Sequence, residues 1–227
     1  MPKGSAEMAN TIESTDVQST DVNGTRLRPR RHSPAEHLWA DFARTVTGEP
    51  QVSLREVPFL AMVGIRVDPL SEGARRIGAL TGGLPTACGQ VATGAARTAV
   101  LWLGPDEFLL VAEKETHDGT RAAELVAALR EGAGQTVDLS SNRTTFELTG
   151  PSARAVLEKS CAADLHPRAF GTGMAITTVI GNVPVVLWKT DDATFRVFPR
   201  ASFADYLGRW LLDGMREFPA AEGKSWH

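Results

Sequence analysis

Apolar positions along this chain fall into short runs. These switch repeatedly between the alternating pattern of a half-buried strand and the i, i+3, i+4 spacing of one helical face. The first element is predicted in HSPAEHLWADFA, residues 32–43. Here Ser33 fits an N-cap, Pro34 the first helical position and Glu36 the reciprocal position of a capping box, with Leu38, Trp39 and Phe42 on or beside one apolar face. VSLREV (52–57) and FLAMVGIRV (59–67) read as strands parted by Pro58, and DPLSEGARRIGAL (68–80) as a helix stopped by Gly82 and Gly83. RTAVLWLGPDEFLLVAE (97–113) is the clearest hairpin, with Gly104, Pro105 and Asp106 at its turn. A helix follows from Thr120, its face marked by Leu125, Val126 and Leu129 and its end by Gly132 and Gly134.

The same order then recurs. QTVDL (135–139) and TTFELTG (144–150) read as strands and PSARAVLEKS (151–160) as a helix. MAITTVI and VPVVLWK form a hairpin turning at Gly181 and Asn182, TFRVFP (194–199) is a strand, and ASFADYLGRWLLDGM (201–215) is a closing helix. Hairpins interspersed with helices predict an α+β fold of largely antiparallel sheets with packed helices, arranged as two split βαβ-like halves of about 33–134 and 135–218 within one domain, 33–227. Residues 1–32 are polar and nearly free of apolar side chains, so a disordered tail is expected there; Arg26, Arg28, Arg30 and Arg31 at its end could dock on an acidic surface or simply be solvated.

Composition narrows the function classes. The formal net charge of -3 over 227 residues offers no basic footprint for nucleic acid or an anionic membrane. Apolar runs such as AVLWL from Ala99 are far too short to span a bilayer, and the N-terminus lacks the pattern of a signal or transit peptide, so a cytoplasmic location is expected. Cys88 and Cys161 read as free, half-buried thiols, although Cys161 could pair with His166 if the fold brought them together.

No phosphate-cradling glycine loop is present, since GQVATGAA (89–96) has the wrong spacing and does not join a convincing strand to a helix. The acid pairs Asp106–Glu107 and Asp191–Asp192 sit in turn-like stretches and read as turn residues. Trp102, Phe108, Trp188, Phe195 and Phe198 read as core. No catalytic, cofactor-binding or metal-ligating residue is therefore assigned. In DLSSNRTTFELTGPSARAVL (138–157), Asp138, Ser140, Ser141 and Asn142 suit a tight connection, with Thr149 available as a helix cap and Pro151 at the first helical position. Arg143 and Arg154 are left as candidate forks for carboxylates, and His166 and Arg168 flank Pro167 in a loop.

VDLSSNRTTFELTGPSARAVLEKSCAADLHPRAF, with LREVPFLAMVGIRVDP and GPDEFLLVAE before it and TFRVFPRASFADYLGRWLLDG after it, resembles the γ subunits of heterotetrameric sarcosine oxidase, colinearly over about residues 50–215. More distantly, the strand, G-P-x-A-R and helix pattern at 148–157 is similar to the folate-binding aminomethyltransferase superfamily of the glycine-cleavage T-protein. In that superfamily a glycine and an acidic residue before the aromatic strand help hold the pterin; KTDDATFRVFP carries Asp191, Asp192 and Ala193 there and lacks the glycines.

The resemblance implies a subunit of a flavoenzyme that oxidises sarcosine with O2 to glycine and hydrogen peroxide, passing the methyl carbon to tetrahydrofolate. FAD, FMN, NAD and tetrahydrofolate would belong to α and β subunits and zinc to δ, with no cofactor in this chain. Asn142, Arg143, Arg154, His166 and Arg168 would then be partner-interface residues. The competing functions are an independent folate-dependent one-carbon transferase and a stand-alone small-metabolite binding module.

Overall fold

The computed structural model describes residues 31–46, 50–95, 97–113, 120–130 and 132–218. The expected tail falls almost wholly outside them, as do Arg26, Arg28 and Arg30. The elements in order are α1 (Trp39–Arg44), β1 (Ser53–Glu56), β2 (Ala61–Arg66), α2 (Glu72–Thr81), β3 (Val91–Thr93), β4 (Thr98–Gly104), β5 (Glu107–Ala112), α3 (Thr120–Leu129), β6 (Gln135–Asp138), β7 (Phe146–Thr149), α4 (Ala153–Glu158), β8 (Ala175–Ile180), β9 (Val183–Asp191), β10 (Thr194–Pro199) and α5 (Ala204–Met215).

Strand alternation sends successive side chains to opposite faces, and the buried residues sort accordingly into three layers. Val63 and Ile65 of β2, Val100 of β4 and Phe108 and Leu110 of β5 meet Ala74 and Ile77 of α2 and Leu125 and Leu129 of α3. Phe146 and Leu148 of β7, Val185 and Leu187 of β9 and Phe195 and Val197 of β10 meet α1, α4 and α5 through residues such as Phe42, Val156, Leu207 and Leu211. Between the two sheets, Met62, Leu101, Leu109 and Val111 face Ala175, Val186 and Phe198. The result is helices, sheet, sheet, helices: an α+β fold with wholly antiparallel pairing.

Each sheet has five strands, in the orders β8-β9-β10-β7-β1 and β3-β4-β5-β2-β6. These two orders are the same pattern. In each, a strand (β2 or β7) leads through a helix to three strands that pair in sequence, and the last of the three lies beside the first. The remaining edge of each sheet comes from the other part of the chain: β1 pairs with β7, and β6 pairs with β2. The strand preceding each unit is thus exchanged onto its counterpart's sheet. The β1–β7 pairing fixes a close backbone approach at Gly150, where φ is +132° and a Cβ would lie 2.5 Å from the Gln51 carbonyl oxygen. The β8–β9 hairpin turns on Gly181 and Asn182, both at positive φ, as a two-residue primed turn requires.

Local chemistry departs from expectation at several places. The first helix opens as a short 3-10 turn, Glu36–Leu38, after Ala35, with no side-chain cap; Ser33 offers its carbonyl to the Glu36 N–H (3.1 Å) and buries a hydroxyl that finds no partner. α4 starts at Ala153, after a turn containing Pro151, and neither Thr149 nor Ser152 caps it. Val126 is 53% exposed, because it lies about 100° round the helix from Leu125 and a full quarter-turn off the Leu125–Leu129 face. Val91–Thr93, within GQVATGAA (89–96), to which the sequence reading assigns no element, is a short edge strand on β4. Cys88 is exposed rather than half-buried, being in the loop before that strand; Cys161 is half-buried as expected. Phe108, Phe195 and Phe198 are fully buried, while Trp102 and Trp188 are only partly so.

Candidate interaction surface

The face that sheet β8-β9-β10-β7-β1 turns toward the other sheet is part apolar and part ionic. Cross-strand register places Arg55, Glu147 and Arg196 directly opposite one another on β1, β7 and β10. Glu147 accepts from Arg55 Nε (2.8 Å) and from Arg196 Nε (2.8 Å), and its side chain is 9% exposed. Burial works against its ionised form, but hydrogen bonds and charge from Arg196 and Arg55 outweigh that and hold its pKa below the ordinary glutamate value. Arg196 also lies over the Trp188 ring and reaches Glu113 at 3.9 Å. On the outer side, the buried Glu56 carboxylate collects the Ala35 N–H, the Trp39 indole N–H and the Thr144 hydroxyl, tying the start of the helical layer to β1 and to the segment just before β7. These carboxylates hold the fold together.

Most surface charges are likewise spent locally. In the groove between α1 and α5, Arg44 pairs with Asp41, Arg209 with Asp205 and Arg216 with Asp213. Arg154 lies 3.7 Å from Glu158 on α4. Asp106 and Glu107 stand in the hairpin turn against Arg66. Asp191 accepts from the Asp192 N–H within their own turn, while Asp192 accepts from the Thr172 hydroxyl and so ties that turn to the loop before β8. His166 and Arg168 are exposed in the loop after α4, where the Arg168 N–H reaches His166 Nδ1 at 3.2 Å. Cys161 sulfur faces the Thr178 hydroxyl at 3.6 Å. Among the described residues no group of three or more His, Cys, Asp or Glu is placed to hold a metal ion.

Asn142 and Arg143 stand apart from this pattern. The loop they occupy is pinned by an Asx turn, Ser140 N–H to Asp138 Oδ1 (2.9 Å), and by Ser140 Oγ accepting from the Met62 N–H (3.0 Å). It carries Arg143 directly opposite Arg200 in an antiparallel bridge, and the Asn142 carbonyl receives the Ala201 N–H at 2.8 Å. Arg143 Nη1 donates to the Phe198 carbonyl (2.8 Å), while its Nε is shut from water with no acceptor. Burial first, and then the neighbouring Arg200 charge, lower the Arg143 pKa; Glu107 acts weakly the other way from beyond ion-pair range. From Arg200 the chain passes through a short 3-10 turn, Ala201–Phe203, into α5, and along this stretch Phe203 (40%), Tyr206 (46%) and Trp210 (42%) are exposed at helical spacing, with the last two rings stacked at 6.1 Å. The structure thus joins Asn142 and Arg143 to Arg200 and leaves Arg154, His166 and Arg168 at other places on the surface. Arg200 was not legible as part of this group, but the aromatic stripe had a signal: α5 is apolar on two faces, one more than burial needs.

The layered architecture is that of the aminomethyltransferases: glycine cleavage system aminomethyltransferase T from Bartonella henselae superposes with a TM-score of 0.54 at 17% identity over 83% of this chain and 51% of that one, a likeness of fold alone. A closer relation comes from the sequence profile of the sarcosine oxidase, gamma subunit family, which matches residues 66–217. Sarcosine oxidase subunit gamma of Corynebacterium sp. (strain U-96) is 51% identical over 181 residues, 79% of this chain and 87% of that one, and the Arthrobacter sp. subunit is 50% identical over 184 residues, 81% and 89%. The heterotetrameric sarcosine oxidase from Corynebacterium sp. U-96, solved with pyrrole 2-carboxylate, contains a chain matching at a TM-score of 0.78 and 51% identity over 85% of this chain and 98% of that one. The chain belongs to the sarcosine oxidase gamma subunit family.

Proposed function

We propose that this chain is the noncatalytic γ subunit of a heterotetrameric sarcosine oxidase and supports assembly of a flavoenzyme that oxidises sarcosine with O2 to glycine and hydrogen peroxide, with the methyl carbon passed to tetrahydrofolate. The observation that carries this reading is the match over 98% of a chain belonging to a solved heterotetrameric complex. In it, α, β and δ subunits are the partners, FAD, FMN, NAD and tetrahydrofolate reside in α and β, and zinc resides in δ. Among the described residues no helix is long and apolar enough to cross a membrane, which accords with work in the cytoplasm.

The acids before β10 speak for a structural role, since Asp191 bonds within its own turn and Asp192 ties that turn to Thr172 of the loop before β8. Asn142, Arg143, Arg154, His166 and Arg168 belong to surfaces that meet partners in this reading. Co-expression with α, β and δ subunits should yield one complex that makes peroxide when sarcosine is added, and leaving this chain out should collapse its yield. The isolated chain should be colourless. An equally stable and active complex without it, or stoichiometric flavin bound to it alone, would overturn the proposal.

A further inference from the structure

Two arginines held face to face, with no carboxylate between them, are an arrangement that a folded chain does not gain from by itself. Like charges directly opposite across paired strands destabilise a sheet, and a guanidinium whose Nε is sealed from water without an acceptor forfeits hydration. Elsewhere on the surface, arginines such as Arg44, Arg75, Arg154, Arg209 and Arg216 sit within reach of an acid on their own helix or the next turn. Among the described residues neither Arg143 nor Arg200 forms an ion pair.

The bridge fixes both backbones, so the guanidiniums project on the same side. With Nη1 committed to the Phe198 carbonyl and Nε buried, the Nη2 edge of Arg143 and the whole guanidinium of exposed Arg200 remain to meet a ligand. Forked donors of this kind suit a carboxylate. The segment leading away from Arg200 bears the exposed Phe203, Tyr206 and Trp210, and arginines beside exposed aromatic side chains are the composition of interface hot spots.

We propose that Arg143 and Arg200 form a carboxylate clamp that receives an aspartate or glutamate side chain of a partner subunit. This rests on the assembly reading above. Charge complementarity selects the occupant: two opposed cations, one half-buried, call for an anion that arrives with its own desolvated surface, which a protein side chain supplies. Docking relieves the repulsion between the arginines.

The test is assembly of the co-expressed heterotetramer with variants of this chain. Arg200→Ala should weaken its association at least tenfold, and Arg200→Glu should weaken it about a hundredfold or more, as expected for loss or reversal of a desolvated charge partner. Because Arg200 is exposed and faces Arg143, neither variant should lower the melting temperature of the free chain, and Arg200→Glu, which replaces the repulsion by an attraction, should raise it slightly. Arg75→Ala, whose cation pairs with Glu72 on α2, is the control and should assemble normally. In the assembled Arg200→Lys variant, a carbodiimide should couple the new amine to the docked carboxylate as an amide, the carbodiimide taking up the water released, and mass spectrometry should find an acidic residue of a partner in the link. Wild-type association unaffected by Arg200→Glu overturns the clamp while leaving the assembly reading intact, and so does weakened association with no coupled partner carboxylate. Failure of the wild-type chain to assemble at all overturns both.

Discussion

The two sheets have the same strand order, yet the faces they turn to each other differ in chemistry. Sheet β3-β4-β5-β2-β6 offers Met62, Leu101, Leu109 and Val111, and its charge toward the other sheet is at the rim, where Glu113 just after β5 lies 3.9 Å from Arg196. Its counterpart offers Val186 and Phe198 alongside the row Arg55, Glu147 and Arg196. Topology sets where side chains meet, and it leaves open whether they meet through area or through charge. A shared apolar centre with ions to one side suggests cooperativity from the former and alignment of the edge strands from the latter.

The strongest way to break this comparison is to hollow out the shared centre. Phe198→Ala, at a fully buried position, should cost about 3–5 kcal/mol, and Leu109→Ala on the opposing sheet about 2–5 kcal/mol. Because both side chains belong to one cluster and each sheet takes its edge strand from the other unit, denaturant unfolding should stay a single transition in both variants. A melt that separates into two steps, one per sheet, would show that the sheets are independent.

Much of this fold could be read from local signals. The β4–β5 and β8–β9 hairpins announced themselves because alternation and turn chemistry agree within a few residues, and α2 because Gly82 and Gly83 stop it, although its cap at Ser71 is not among those expected. What escaped depends on contacts between distant parts of the chain. The exchange of β1 and β6 is a matter of which sheet has a free edge, and neither strand carries a mark of its destination. β3 is three residues long and gains its strand character only from β4. Ser33 looked like a cap, but Glu56 supplies the acceptor for the Ala35 N–H instead. At the candidate site, Arg143 was recognisable as a spare cation; that Arg200 stands opposite it follows only from the bridge that extends the β7–β10 pairing.

A smaller effect, with a pH signature, is expected from the ionic row. Glu147→Gln keeps the shape of the side chain but leaves Arg196, 16% exposed, without its nearest counter-charge. Arg55 is 63% exposed and adds little, so the loss should be about 2–3 kcal/mol at neutral pH. Since the folded pKa of Glu147 lies below its ordinary value, its contribution is present above the unfolded glutamate pKa and disappears as pH falls through the lowered folded one. The gap between wild type and variant, read from urea midpoints, should therefore close as pH falls below the ordinary glutamate range and through the lowered folded pKa. A gap constant with pH would mean that the substitution acts through packing and not through charge.

The smallest effect compares α2 and α4, the helices that follow β2 and β7 in the two units. On α2, the Ser71 hydroxyl accepts from the Ala74 N–H at 3.1 Å and donates to the Asp68 carbonyl at 2.7 Å, while the left-handed Gly82 closes the other end. On α4, Ser152 stands at the N-cap without any such bond, and its helix is held by the burial of Ala153, Val156 and Leu157 against the sheet. A side-chain cap contributes about 1 kcal/mol by satisfying an otherwise orphaned N–H. Ser71→Ala should accordingly lower stability by about 1 kcal/mol, and Ser152→Ala by less than about 0.5 kcal/mol, because the second removes no cap. Equal losses for the two, measured by denaturant titration, would show that the units start their first helices in the same way and that their difference lies elsewhere.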